Sequence, residues 1–469
     1  MRRLPILAAM LPLALAACDM APDYKPPVVH VAEDYEEAGP WHPALPADAQ
    51  PHGDWWTLFG DATLDRLEAE IDQSSPTLAA AVARLDQARA YAAQAEAGLY
   101  PEVSAGGASA IDRQSQSGPL MGGRQGAKTK EYSANKLDLQ ASYELDFWGR
   151  IRNQAAAGRD LAQASEADLA TIKLSEAAEL AADYLTLRGL DNDIDVLSDT
   201  VLTYRKARDL TRTLYQGAAA SRMDVSRAET QLDLAEAQLA DTEARRALID
   251  HAIAALMGKT PAEQSIAPAT PDIALPDVPP GVPSALLQRR PDIAAAERRV
   301  AAANAGIGVA KAAFYPSLTL GLLGGEQSNG AQLVGLPNSF WTLGPGVTLP
   351  IFTGGRLEAQ EDQAYASFRE EGELYRATVI TAFREVEDNL ALLSHLGEEA
   401  AKVEAGSDQA HKTLDIAMTL YKDGADSYLD VVTAQTTYLQ TRLTAVDVRT
   451  RRMLAEVGLI RALGGGWKA

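Results

Sequence analysis
The sequence predicts an α+β membrane protein in which four strands and two long helical hairpins form one unit written twice. Three observations carry that class. A strictly alternating strand occupies residues 135–148, a proline-free helical stretch follows from Ile151 to Tyr215, and the same strand-to-helix junction recurs at Leu349-Pro350-Ile351-Phe352-Thr353-Gly354-Gly355-Arg356. In the first junction Leu137, Leu139, Ala141, Tyr143, Leu145 and Phe147 alternate with Asp138, Gln140, Ser142, Glu144 and Asp146. Successive strand side chains point to opposite faces, so this period of two places one face on hydrocarbon and the other in water.

Taken in order, the chain opens with Arg2-Arg3 and an apolar run of fourteen residues, Leu4 to Ala17. A bilayer span needs about 20 residues, so residues 1–17 read as a signal peptide. Leu15-Ala16-Ala17-Cys18 resembles the lipobox of bacterial lipoproteins, which makes Cys18 the expected site of lipid attachment. It is the only cysteine, which excludes disulfides within the chain and multi-cysteine metal sites. Several acyl chains on one residue anchor a protein stably. Asp19 follows, and in enteric bacteria an aspartate there tends to retain lipoproteins in the inner membrane, whereas a β-barrel requires the outer one. Residues 18–60 read as a lipid-anchored extended arm, rich in proline, acidic residues and histidine without periodicity.

The first repeat covers 61–258. A helical pattern runs from Ala62 to Leu99, and strands follow at about 103–111 and 135–148. Between the strands lies a stretch rich in Gly, Ser and Gln, as expected of an exposed loop. The helical hairpin occupies 151–257, and its first limb of ~64 residues would be roughly 95 Å long. Leu187, Leu190, Ile194, Leu197, Val201 and Tyr204 alternate spacings of three and four, the signature of a coiled-coil seam. A proline-rich linker fills 259–283. The second repeat, 284–469, carries strands at about 316–325 and 340–352 and a helical hairpin at 356–463. Pro76 and Pro291 stand 215 apart, as do Pro101 and Pro316; Gly149 and Gly355, Tyr215 and Tyr421, and Asp224 and Asp430 each stand 206 apart. Constant shifts on both sides of a loop identify an internal duplication. Tyr100, Phe147, Trp148, Phe314, Tyr315 and Phe352 fall at helix-proximal strand ends, where an aromatic girdle would meet a membrane interface.

Charge and composition exclude several functions. A net charge of −21 argues against nucleic acid, whose phosphates require basic patches; it suits an acidic surface or an acidic water-filled duct. The six histidines are scattered, with no His-Glu-x-x-His spacing. No catalytic constellation, metal site or cofactor is expected beyond the covalent lipid on Cys18. Four strands cannot close a barrel, and open sheet edges are not viable in lipid. The smallest spanning barrels use about 8 strands, so copies of the chain must share one. Two copies would give a filled interior and three a lumen.

Several segments together resemble one family: the lipobox with Pro22-Asp23-Tyr24, Trp55-Trp56, Tyr143-Glu144-Leu145-Asp146-Phe147-Trp148-Gly149-Arg150, Leu286-Leu287-Gln288-Arg289-Arg290-Pro291-Asp292-Ile293, Phe314-Tyr315-Pro316-Ser317, and Ala462-Leu463-Gly464-Gly465-Gly466-Trp467. The chain is similar to outer-membrane factors of the TolC/OprM type, in their NodT-like lipoprotein branch. The resemblance implies a homotrimer with a 12-stranded β-barrel, four strands per chain, continued across the periplasm by a long α-helical barrel. It implies a passive exit duct of a tripartite efflux system, working with a periplasmic adaptor and an inner-membrane pump of the resistance-nodulation-division type. Location in the outer membrane of a Gram-negative bacterium, in contact with its lipid, follows.

The resemblance also points to the periplasmic tip, where a tyrosine and aspartates close the pore in TolC. Tyr421, Gly424 and Asp430 match that pattern in the second repeat and Asp224 in the first. Gly217 to Asp224 is seven residues and Gly424 to Asp430 six, so the first turn reads as one residue longer and Arg222 aligns less directly. Thr433 stands where TolC has a second ring aspartate, and Asp426 where it has a gate-locking arginine, so any lock is wired differently here. A ring of carboxylates repels anions and attracts cations, and crowding raises carboxyl pKa values. The expected gate is therefore Asp224, Tyr421 and Asp430 with Asp426 and Arg222, and the competing reading of the aspartates is as helix caps. Gly217 and Gly424 are expected to permit the tight turns and to border the grooves that receive the adaptor. Two other classes compete with the duct: the channel of a type I protein secretion system, and a periplasmic coiled-coil scaffold, which would lack alternating strands with aromatic ends.

Overall fold
The computed structural model describes residues 19–29, 36, 54–113, 131–276, 290–330 and 333–465. The signal peptide, Cys18, the arm at 30–35 and 37–53, the loop 114–130, the linker beyond 276 and Trp467 lie outside the described residues. In chain order the elements are α1 (Ala62–Ser74), α2 (Pro76–Ala97), β1 (Glu102–Arg113), β2 (Glu131–Glu144), α3 (Arg150–Gln216), α4 (Arg222–Leu256), α5 (Pro291–Ala312), β3 (Ser317–Ser328), β4 (Ser339–Thr348), α6 (Arg356–Lys422) and α7 (Tyr428–Ala462). The duplication holds at element ends. α2 maps onto α5, and β1 onto β3, with a shift of 215 at both ends; α3 maps onto α6 and α4 onto α7 with a shift of 206.

The chain divides into two compact units. One comprises Met1–Pro27, Leu85–Ser165 and Ala295–Tyr375 and contains the strands. They form a single antiparallel sheet in the order β1-β2-β3-β4. β2 stops at Glu144, four residues before the expected end, because Glu144 and Asp146 turn to the following helix. β4 ends at Thr348, just before Pro350, which has no N–H to give a ladder. Beside the sheet the helices pack through alanine: Ala92, Ala95, Ala155, Ala164, Ala301 and Ala305 are all buried. Gly158 lies so close to the α2 backbone that a Cβ would sit 3.2 Å from Ala92 Cα. Small side chains let helices approach closely at low side-chain entropy cost.

The other unit comprises Val28–Arg84, Glu166–Ala294 and Arg376–Ala469. Its core joins Trp55, Phe59, Leu64 and Leu67 to Tyr184, Leu187, Ile253, Met257, Leu390 and Ile460. A polar network pins the linker to this core. Asp191 accepts from Arg188 at 2.8 Å, from Arg246 at 2.5 Å and from the Ala269 backbone at 3.1 Å. Arg188 also donates to the Tyr184 hydroxyl, which donates to Asp61. Buried charges are tolerable when paired and hydrogen-bonded in this way. Among the described residues no helix is long and apolar enough to cross a membrane.

Candidate functional site
The sheet register assigns two chemically distinct faces. Val103, Ala141, Leu322 and Leu343 lie directly across from one another in a row, and Leu139 shares their face with Trp341. Ser104, Gln140, Leu323 and Thr342 form a row on the opposite face, polar at three of its four positions, next to Asp138. Leu139, Trp341 and Leu343 are 60%, 77% and 58% exposed. An apolar face so exposed on a four-stranded sheet is the arrangement expected of a wall between lipid and water. The outer edges of β1 and β4 carry no partner strand among the described residues.

The strand-to-helix junction is built by its own acidic residues. Arg150 grips Glu144 through two parallel hydrogen bonds of 2.9 and 2.6 Å, a bidentate geometry with directional strength. Asp146 accepts from the Arg152 backbone at 2.8 Å, satisfying a donor in the first turn of α3. Trp148 stacks on Tyr315 at 4.7 Å and donates to the Pro316 carbonyl at 2.9 Å. Gly149 takes a left-handed φ of 78°.

Against this junction lies the segment just after Cys18. Asn153 donates to Asp19 Oδ1 at 2.7 Å, and Asn304 donates to the Pro22 carbonyl at 2.8 Å. The Tyr24 hydroxyl donates to Glu297 at 2.6 Å; burial, reinforced by that carboxylate, pushes the phenol well above its ordinary pKa. Gly149 and Gly308 make room for the strap, since a Cβ on either would crowd Asp19, Ala21 or Asn153. Asp19 therefore has a structural occupation at this site. Sequence reasoning missed it, because Asp19 meets Asn153 of α3 while Pro22 and Tyr24 meet Asn304 and Glu297 of α5, contacts that leave no local signature.

At the other candidate site, the hairpin tips, the two repeats make equivalent backbone hydrogen bonds through the turn. Ala218 donates to the Tyr215 carbonyl and Ala219 to Leu214; Gly424 donates to Tyr421 and Ala425 to Leu420. The turns are thus equal in length, and the expectation of an extra residue in the first is corrected. Ala218, not Gly217, is the partner of Gly424. It adopts φ 58° where Gly424 adopts 72°. Gly217 instead continues the helix, donating to the Thr213 carbonyl. The expected turn role thus holds for Gly424 in its conformation and passes from Gly217 to Ala218.

Both aspartates sit in the first turn of their helices. Ser221 and Asp224 form a reciprocal capping box at the start of α4. Ser427 donates its hydroxyl to Asp430 at 2.6 Å, and this bond, with one shared with Asp426, holds the Asp430 carboxyl below its usual pKa. Asp426 accepts from the Ser427 backbone at 2.8 Å. Arg222, the first residue of α4, is exposed. Tyr421 is 8% exposed and tilts against Tyr428 at 5.1 Å, its hydroxyl 3.4 Å from Thr211. Burial raises the pKa of Tyr421 and pushes that of Tyr428 up to about 12. Tyr428, equivalent to Arg222 in the repeat, was not singled out by the sequence. Asp426, Asp430 and Thr433 line one groove of about 380 Å³ with Ile416 and Leu420.

The family model for outer membrane efflux proteins matches residues 68–259 and 282–465. The pyoverdine export outer membrane protein OpmQ of Pseudomonas putida is 33% identical, the alignment covering 99% of this chain and 98% of that one. The cation efflux system protein CusC of Escherichia coli is 29% identical, covering 97% of each. Among solved structures, the outer-membrane channel OprN superposes with a TM-score of 0.87 at 28% identity, over 96% of this chain and all of that one. The outer membrane protein VceC of Vibrio cholerae gives 0.83 at 30% identity, over 89% of this chain and all of that one.

Proposed function
The chain belongs to the outer membrane efflux protein family, and we propose that three copies of it build the passive exit duct of a tripartite efflux machine. As a family member it is the outer-membrane component of an efflux system. In the proposed assembly three four-stranded sheets close a 12-stranded barrel, and the helical hairpins line a tunnel through the periplasm. A periplasmic adaptor seats on the hairpin tips around Gly217 and Gly424 and joins the duct to an inner-membrane pump. The observation that carries this reading is the sheet itself, with an exposed apolar face, a polar opposite face and two open edges. In the proposed assembly Cys18 carries the lipid, and the residue after it, Asp19, is held by Asn153 at the strand-to-helix junction.

The substrate is not set by this chain alone. Relatives of comparable identity are named for pyoverdine and for cations, which suits a broad duct fed by a selective pump.

The periplasmic end closes at a ring of Asp224 and Asp430 side chains, with Asp426 and Arg222 at its border. The caps support such a ring, because Ser221 and Ser427 hold each carboxylate in one orientation. Tyr421 acts from within the helix packing rather than in the pore. Single-channel conductance of purified protein in planar bilayers tests the whole reading. The expected result is a small, cation-preferring conductance that rises sharply in Asp224→Ala/Asp430→Ala. Equal, large conductance in both proteins would remove the gate, and no channels from folded protein would remove the duct.

A further inference from the structure
The polar face of the sheet gathers an ion pair and an aromatic ring at one level. Gly106, Asp138, Gly325 and Phe340 lie across from one another in a row, and Lys136 stands in the next row away from the helices. Nearer the helices, past Leu323 and Thr342, β3 and β4 set Gly321 opposite Gly344 and Thr319 opposite Gly346. The face is therefore lined by small groups there and by large ones around Asp138. Glycine on both neighbouring strands makes room for that carboxylate. A Cβ on Gly106 would come within 3.2 Å of Asp138 Oδ1, and one on Gly325 would clash with the Leu137 carbonyl.

Lys136 Nζ lies 3.2 Å from Asp138 Oδ1 and 5.5 Å from the centre of the Phe340 ring. A carboxylate and an aromatic face together hold the ammonium in place. Lys136 is also the only basic residue that the four strands put on this face. Arg113, the other basic strand residue, pairs with Glu131 on the opposite face. The remaining charges of the polar face, Glu102, Asp112 and Glu144, are all acidic. An ion pair at the surface contributes little to stability, and this one joins residues two apart on a single strand, so it does not tie strands together. Its use lies in the field it makes.

This inference rests on the three-chain duct proposed above, in which the polar face lines the lumen. We propose that Lys136 is a specificity-determining residue of that duct. Three unpaired Asp138 side chains would form a carboxylate ring that repels anions, and low-dielectric walls would focus its field. Lys136, steadied by Phe340, cancels that ring. The belt is neutral as a pair, and it admits anionic cargo to a barrel whose other lumen charges are acidic.

The test reads the lumen field directly, whatever the state of the periplasmic gate. Gln140→Cys places a thiol on the same face, about 7 Å along the strand from Asp138. Purified protein in lipid vesicles is labelled with cationic 2-(trimethylammonium)ethyl and anionic 2-sulfonatoethyl methanethiosulfonate. An ionic strength of about 0.01 M keeps the screening length near 30 Å. The native chain, whose one cysteine is Cys18, is the blank. Adding Lys136→Met should raise the cationic-to-anionic rate ratio at least ~5-fold. Asp138→Asn should lower it, and Lys136→Arg should leave it unchanged. A ratio that Lys136→Met does not move would overturn the role of Lys136 and leave the duct standing. No labelling of Gln140→Cys by either reagent in folded protein would remove the water-filled lumen, and the duct with it. Where Lys136→Met does not fold, Asp138→Asn carries the test, and an unmoved ratio there overturns the proposal equally.

Discussion
Gly217 and Gly424 look alike in sequence and do opposite jobs. Gly424 is left-handed at φ 72°, where a side chain is strained. Gly217 is right-handed, and a Cβ there would meet nothing closer than carbonyl oxygens at 3.6 Å. Gly217→Ala should therefore stabilise the hairpin by about 0.4–1 kcal/mol through the unfolded state, and Gly424→Ala should destabilise it by about 1 kcal/mol. Thermal midpoints of the two variants at one scan rate, moving in opposite directions, are the check. Glu68 gives a prediction in pH. Its ordinary pKa is about 4.3, and its folded value lies near 9. At low pH the group is neutral in both states and costs nothing. As pH rises from about 4 toward 9 only the unfolded chain ionises, so stability is lost throughout that window. Glu68→Gln should accordingly melt above the wild type, with an advantage that widens between about pH 5 and pH 9. A constant offset across that range would contradict the buried, neutral carboxyl.

At the level of elements, the repeat was legible because insertions collected in the strand–loop–strand section, where β2 and β4 differ in length, while helix ends kept their shift. The same regularity already contained the correct turn. Tyr215 and Tyr421, and Asp224 and Asp430, share the shift of 206 on either side of it, which leaves no room for an extra residue. Counting from the glycines misplaced the turn because a left-handed position can be filled by Ala218 at some strain. The burial of Tyr421 was not legible, since its partners Thr211 and Tyr428 lie on other helices. Strand alternation was legible from Leu137 to Glu144, and it supports a sharp test. Leu139→Arg puts a charge on the apolar face and should cost about 2–4 kcal/mol near the bilayer midplane. Gln140→Arg, one residue on, faces the polar row and should cost little. Unfolding in lipid vesicles, compared for the two variants, reads the difference. Helix packing supplies another. Gly158→Val should lose on the order of 1–3 kcal/mol by overpacking against Ala92 and Ala95, seen as a lowered thermal midpoint in detergent.

The number of chains in the whole assembly follows from the two faces of one sheet. Among the described residues each chain brings four strands with both outer edges open, and an open edge in hydrocarbon leaves backbone groups unsatisfied at a cost of several kcal/mol each. Closure therefore requires other copies, and the polar face decides how many. A barrel of about 8 strands has an interior just filled by side chains, which would press Ser104, Gln140, Asp138 and Thr342 of two sheets together without water. Twelve strands leave a lumen in which Asp138 and its neighbours stay hydrated, and a duct needs that lumen. Three copies satisfy both the edges and the polar face. Native mass spectrometry of protein released from detergent should find three times the mass of a single chain, with no dimer in equilibrium. Crosslinks between the outer edges of β1 and β4 should yield a closed set of three, since a ring of identical joints ends only when the last edge meets the first. A dominant two-chain species would place the polar rows in a filled core and would require a different path for efflux.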